Sequence, residues 1–282
     1  MLNDLYQSLD PVAFSIGPLT VRWYALAYIA GFACALFVMW RVSKRWKVRI
    51  DSDALLTILL CVMVGVILGA RLGYVLFYGA GYYLVHPEEI LAFNKGGMSF
   101  HGGLVGALLA GIVAAKLTHI PYLTLADLAV IGAPIGLFFG RCANFVNGEL
   151  WGAVTDVPWG VVFGGAAGTL PRHPSQLYEA LLEGVMLFII LYALSRKRPP
   201  RPRGTFLGIF LIIYGICRFL IEFVRQPDVQ LGYLWGGWLT MGQVLSVPLI
   251  IAGICILIFA VRKKLPQQGL DGLSGSQESP EG

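Results

Sequence analysis

Residues 54–78 read ALLTILLCVMVGVILGARLGYVLFY and carry a single charged side chain, Arg71. That stretch exceeds the roughly 20 apolar residues an α-helix needs to cross the hydrocarbon core of a bilayer. Moving outward from it, six further apolar runs occur at 21–40, 99–118, 123–140, 177–195, 205–224 and 240–261. The expected fold class is therefore an all-α membrane protein with seven transmembrane helices, because a helix satisfies its own backbone hydrogen bonds in lipid. Composition agrees. The 282 residues are 57% hydrophobic and 13% charged, with a mean hydropathy of +0.71, whereas a soluble domain carries roughly 25% charged residues. No polar stretch is long enough for a water-facing domain. Residues 1–264 are expected to form one polytopic membrane domain with an outer N-terminal arm over about 1–20, and the polar, Gly/Ser-rich 265–282 a disordered cytoplasmic tail.

Orientation follows from the basic residues, since cytoplasmic loops are enriched in Lys and Arg. Arg41, Lys44, Arg45, Lys47 and Arg49 follow the first run, Lys116 ends the third, and Arg196, Lys197, Arg198, Arg201 and Arg203 follow the fifth. Arg262, Lys263 and Lys264 follow the seventh. The opposite side holds only Arg22, Lys95, Arg172 and Arg225. The N-terminus is thus expected outside and the C-terminus in the cytoplasm. The net charge of +5 is topological, so no nucleic-acid partner is implied. Five cysteines without C-x-x-C spacing indicate neither a disulfide framework nor a zinc site. Asp4 and Asp10 precede any Lys or Arg, so the first apolar run reads as a retained anchor rather than a cleaved signal. Glycines at helix-packing spacing, Gly65, Gly69 and Gly73 in one run and Gly102 and Gly106 in another, read as close helix contacts.

An ionisable group at membrane depth costs roughly 2.5 to 3.5 kcal/mol on insertion scales, so each needs a partner or a task. Tyr24, Arg71, His101, Arg141 and Arg218 all fall in the outer halves of their spans, and the inner halves carry almost nothing comparable. YGICRFLIEFVR places Tyr214, Arg218, Glu222 and Arg225 at spacings of 4, 4 and 3, on one helical face. GRCANFVNGELWG (140–152) supplies Arg141, Asn144, Asn147 and Glu149. A guanidinium fork with amide donors suits an anionic headgroup, although a turn held by Asn side chains accounts equally well for the segment. His101 lies among glycines in GGMSFHGG and can take a proton near neutral pH; a hydrogen-bonded structural histidine is the competing reading. Asp127, Glu179 and Glu183 sit near span ends, where solvation or helix capping is expected.

At these segments the chain resembles the bacterial prolipoprotein diacylglyceryl transferases over about residues 10–262. GRCANFVNGELWG, GMSFHGG, HPSQLYEALLEG (173–184), WYAL at Tyr24, GARLGY around Arg71 and YGICRFLIEFVRQPD match in order and spacing. The resemblance implies a multi-pass enzyme of the bacterial inner membrane with a periplasmic N-terminus. It implies transfer of the sn-1,2-diacylglyceryl group of phosphatidylglycerol to the lipobox cysteine of a prolipoprotein signal peptide, releasing glycerol 1-phosphate. No cofactor and no metal is implied. By the same resemblance His101, Arg141 and Arg218 are the essential residues, with Arg141 contacting phosphatidylglycerol, and Tyr24, Asn144, Glu149, Gly152, Tyr214 and Glu222 support them. The residue types suit that chemistry: His101 as candidate base, Arg141 as phosphate holder, and Arg218 stabilising the departing phosphate, aligned by Tyr214 and Glu222. The alternative is a multi-span transporter or channel with an anionic-lipid site. It predicts polar groups along the whole membrane path and often repeated halves, and neither is visible in the sequence.

Overall fold

A computed structural model describes the chain except residues 18, 80, 94, 95, 228–231, 235 and 270–282, and except the side chains of Leu19, Phe100 and His101. Most of the expected tail thus lies outside the described residues. The described residues form two compact units, one within 1–42 and 127–266 and the other within 43–126 and 267–269.

The N-terminal arm departs from an all-helical reading. A short helix α1 (Leu2–Gln7) precedes an antiparallel pair, β1 (Val12–Ile16) and β2 (Leu19–Arg22). Its physical origin is legible afterwards: β-branched residues flank Gly17, whose φ of +58° favours glycine at the turn. Helices then dominate: α2 (Trp23–Trp46), α3 (Ser52–Tyr78), the short α4 (Tyr82–Val85), α5 (Phe100–Thr118) and α6 (Tyr122–Val146). The fifth apolar run becomes α7 (Ser175–Glu179), a π-helical turn (Ala180–Met186) and α8 (Leu187–Leu194), followed by α9 (Thr205–Ile221) and α10 (Met241–Lys263). Among the described residues, five helical segments are long and apolar enough to cross a membrane: Trp23–Trp46, Ser52–Tyr78, Tyr122–Val146, Ser175–Leu194 and Met241–Lys263. Gly102–Thr118 and Thr205–Ile221 are shorter apolar helices. The chain is a helical, multi-pass membrane protein, and each of the seven apolar runs folds as helix.

In the unit containing α3 and α5, the expected glycine contacts occur. A Cβ on Gly73 would stand 2.7 Å from the Gly102 Cα, and one on Gly69 2.7 Å from the Gly106 Cα, so the two backbones touch. Arg71, only 1% exposed, donates Nε to the Ile90 carbonyl and Nη2 to the Glu89 carbonyl, each at 2.7 Å, and Nη1 to Gly96 and Gly97. Tyr83 lies under the guanidinium at 5.3 Å. Arg71 therefore organises the loop between α4 and α5, whose carbonyls accept four hydrogen bonds from it.

In the other unit, Asp127 is fully buried and its carboxylate accepts from the Gly204 and Leu207 amides at 2.8 Å each. It does cap a helix, but the helix is α9. A capping box of Thr240 and Gln243 starts α10, and the Thr240 hydroxyl also donates to Glu222. A Cβ on Gly184 would lie 2.7 Å from the Phe138 Cβ, which brings the π-helical turn tight against α6.

Candidate functional site

Three arginines and three glutamates from α6, the α7 to π-helical segment and the end of α9 form one ion-pair network. Arg141 approaches Glu179 Oε2 through Nε at 2.6 Å and Glu183 Oε2 through Nη2 at 3.8 Å. Arg218 Nη1 lies 3.6 Å from Glu179 Oε1, and Arg218 Nη2 pairs with Glu222 Oε1 at 2.5 Å. Arg225 Nη1 donates to Glu179 Oε1 at 3.2 Å, with its Nε 3.7 Å from Glu222. Glu179 and Glu183 are completely buried, whereas the Arg141 and Arg218 side chains remain 15% and 17% exposed. The carboxylates are thus buried while two of the arginine side chains keep some exposure. Glu179 Oε2, Arg218 Nη1 and both Glu183 oxygens are buried without a hydrogen-bond partner among the described residues. Guanidinium forks of this kind match the oxygens of an anion such as a phosphate.

The expectation that Glu179 and Glu183 are solvated or capping is overturned. Hydropathy placed them near the start of a span; the fold turns both inward, Glu183 from a π-helical turn, a feature frequent at functional sites. The stripe expected from Tyr214 to Arg225 is also modified. Helix α9 ends at Ile221 with Glu222 as its C-cap, and Arg225 reaches the network from the turn beyond. There its backbone bridges Gly152, and the Ala153 amide donates to the Val224 carbonyl at 2.9 Å.

That bridge joins the network to residues 140–152. Asn144 Nδ2 and Asn147 Nδ2 donate to the same Glu149 oxygen at 2.8 and 3.3 Å, and Gln176 Nε2 donates to the Glu149 carbonyl at 2.6 Å. Thus the turn held by asparagines exists and packs against the helix that carries Glu179. Gly152 is required sterically, since a Cβ would meet the His173 Cβ and the Val224 carbonyl oxygen at 2.6 Å. Trp159 Nε1 donates to the Tyr178 hydroxyl at 2.7 Å, and that hydroxyl lies 3.2 Å from His173 Nδ1. Burial pushes this imidazole below the usual histidine range, against an opposing pull from Asp156.

Tyr24, at the start of α2, lies within electrostatic range of Arg141 and Glu149 and shares a 3.1 Å hydrogen bond with Tyr28. Tyr214 lies within range of Arg141, Arg218, Glu179 and Glu183. So Arg141, Arg218, Glu222, Tyr214, Tyr24, Asn144, Glu149 and Gly152 share one unit and one neighbourhood. His101 is the second residue of α5, in the other unit, and its side chain lies outside the described residues. The sequence reading missed Glu179 and Glu183 as members of the site; their i, i+4 spacing in HPSQLYEALLEG was the available signal. Among the described residues, no group of three His, Cys, Asp or Glu side chains could hold a metal ion.

Residues 11–259 match the family model described as prolipoprotein diacylglyceryl transferase. The chain is 48% identical over 260 residues to the phosphatidylglycerol–prolipoprotein diacylglyceryl transferase of Geobacter sulfurreducens, covering 92% of this chain and 98% of that protein. It is 50% identical over 262 residues to the enzyme so named from Pseudomonas paraeruginosa, covering 93% and 97%. The one from Methylocella silvestris is 51% identical over 265 residues, covering 92% and 96%.

Proposed function

From the premise that the chain belongs to the prolipoprotein diacylglyceryl transferase family, we infer that it transfers the sn-1,2-diacylglyceryl group of phosphatidylglycerol to the lipobox cysteine of prolipoproteins. The observation that carries this reading at the site is the pair of partly exposed arginine side chains, Arg141 and Arg218, gathered around buried Glu179. The lipobox thiol, with an ordinary pKa near ~8.5, must lose its proton. The thiolate then attacks the terminal glycerol carbon of the diacylglyceryl group. A carbon–sulfur bond forms, the carbon–oxygen bond to phosphate breaks, and the bonding pair stays on the departing glycerol 1-phosphate.

In this reading Arg141 holds the phosphate and Arg218 stabilises the charge that develops on it, a role that rewards donors fixed before the reaction. Glu222 and Tyr214 align Arg218; the Glu222 ion pair and the electrostatic range of Tyr214 support that assignment. Glu149 and Asn144 shape the turn beside Arg141, Gly152 admits the strand contact behind it, and Tyr24 borders the same neighbourhood. His101 takes the thiol proton, a role supported by residue type and family resemblance. The site requires neither cofactor nor metal; its partners are phosphatidylglycerol, the prolipoprotein signal peptide and the surrounding bilayer.

The same reading makes residues 1–264 one polytopic domain of the bacterial inner membrane with seven spans, a periplasmic N-terminus and a cytoplasmic tail over 265–282. The basic clusters after the first, fifth and seventh helices support that orientation. Complementation tests the function. Cells depleted of their own diacylglyceryl transferase should grow and mature their lipoproteins when this chain is expressed; accumulation of unmodified prolipoprotein despite normal membrane insertion would refute it.

A further inference from the structure

We propose that Glu179 is the positioning residue of the phosphate site, the buried carboxylate that sets the orientation of Arg141 and Arg218 toward the headgroup. The inference rests on the transferase reading and assigns a role to a residue that reading leaves unused. Glu179 approaches all three arginines of the network, Arg141 at 2.6 Å, Arg225 at 3.2 Å and Arg218 at 3.6 Å, while itself fully buried. It approaches Arg141 through Nε as an ion pair, and Nη2 of the same guanidinium stands 3.8 Å from the buried Glu183. Glu179 Oε2 has no hydrogen-bond partner among the described residues, so the tie is one of charge. The Arg141 side chain, still 15% exposed, is thereby held in place before a phosphate arrives.

The arrangement is costly as a mere stabiliser. A buried ion pair is weak support for folding, since desolvation offsets its Coulomb attraction, and here three like charges crowd one carboxylate. A single anion holding cations from three segments does, however, define their relative geometry. Displacement at carbon depends on such geometry, and misplacement by about 1 Å costs about 100-fold in rate. Glu222 ties Arg218 to Arg225, at 2.5 and 3.7 Å, whereas Glu179 pairs with both Arg218 and Arg141 and so couples those two.

The test compares the full-length parent with Glu179→Gln and Glu179→Asp in phosphatidylglycerol-containing micelles. It measures transfer kinetics, binding of sn-glycerol 1-phosphate and thermal melting. With the negative charge removed, the arginines stay cationic but lose their alignment. Glu179→Gln should lose about 100-fold in kcat while binding glycerol 1-phosphate as tightly as the parent or more tightly. Glu179→Asp, which keeps the charge but withdraws it by one methylene, should lose less, and it decides the matter if the glutamine variant does not fold. A kcat within about threefold of the parent for a folded variant overturns the proposal, as does parallel loss of rate and glycerol 1-phosphate binding, the pattern of a merely structural residue. A parent that forms no thioether product refutes the transferase reading instead. The positioning role is then decided by binding alone, which must not weaken in Glu179→Gln.

Discussion

Arg141→Lys keeps the positive charge and removes the fork, and the structure allows the loss to be worked out. Arg141 pairs through Nε with Glu179 at 2.6 Å and has Nη2 3.8 Å from Glu183, beyond hydrogen-bond distance. A lysine ammonium is a single point of donors on a flexible stem. It can stay with the buried Glu179 or meet the phosphate, and the buried carboxylate, which has no solvent to fall back on, holds it more firmly. If Arg141 holds the phosphate through its fork, the substitution removes a two-point contact. A hydrogen bond to a charged group contributes about 1.5 to 3 kcal/mol, so two at the lower figure amount to about 3 kcal/mol, or about 100-fold in kcat/KM for phosphatidylglycerol. The assay is thioether formation on a lipobox peptide by detergent-purified enzyme, at matched melting temperature. A lysine variant within about threefold of the parent would mean that Arg141 supplies charge and not shape, and the phosphate-holder role would fail.

Three further outcomes are expected. Gly152→Ala should force the His173 and Val224 backbones apart at sites where a Cβ would stand 2.6 Å away, at a cost of about 1 to 3 kcal/mol in stability. Its transfer rate should fall with it, and chemical denaturation with parallel kinetics would show an unaffected variant if the contact is unimportant. Asp127→Ala should leave two amides at the start of α9 without their acceptor and lower stability by about 2 to 4 kcal/mol, visible as a lower melting temperature. For His101→Gln the transfer rate should drop on the order of 100-fold to 10,000-fold if the imidazole is the base, and the deficit should shrink as pH rises and the peptide thiol ionises without help. A ratio of rates constant with pH leaves His101 no role in proton transfer.

Much of the architecture was legible because lipid imposes a strong pattern. Residues 54–78 and six similar runs needed only length and hydropathy to be read as helices, and the glycines of α3 and α5 announced their contact by spacing. Arg141, Arg218 and Glu222 stood out because charge at membrane depth demands a partner. The part that stayed hidden depends on where side chains turn. Glu179 and Glu183 begin a span in sequence, and only the π-helical turn and the packing of Gly184 on Phe138 make them the buried centre of the network. Arg71 looked like Arg141 in sequence, yet loop carbonyls between α4 and α5 take up its donors. Residues 12–22 were too short a β pattern to compete with the apolar run that follows.

The most direct measurement of the central claim is a complete product analysis of one reaction. Purified protein is incubated with phosphatidylglycerol carrying labels in both glycerol units and with a lipobox peptide, and both products are identified by mass spectrometry. The expected products are a peptide carrying an intact diacylglyceryl group in thioether linkage to its cysteine and one equivalent of glycerol 1-phosphate retaining the headgroup label. An acyl thioester on the cysteine, or release of free glycerol with phosphate left on the lipid, would show that a different bond breaks and would contradict the proposed reaction.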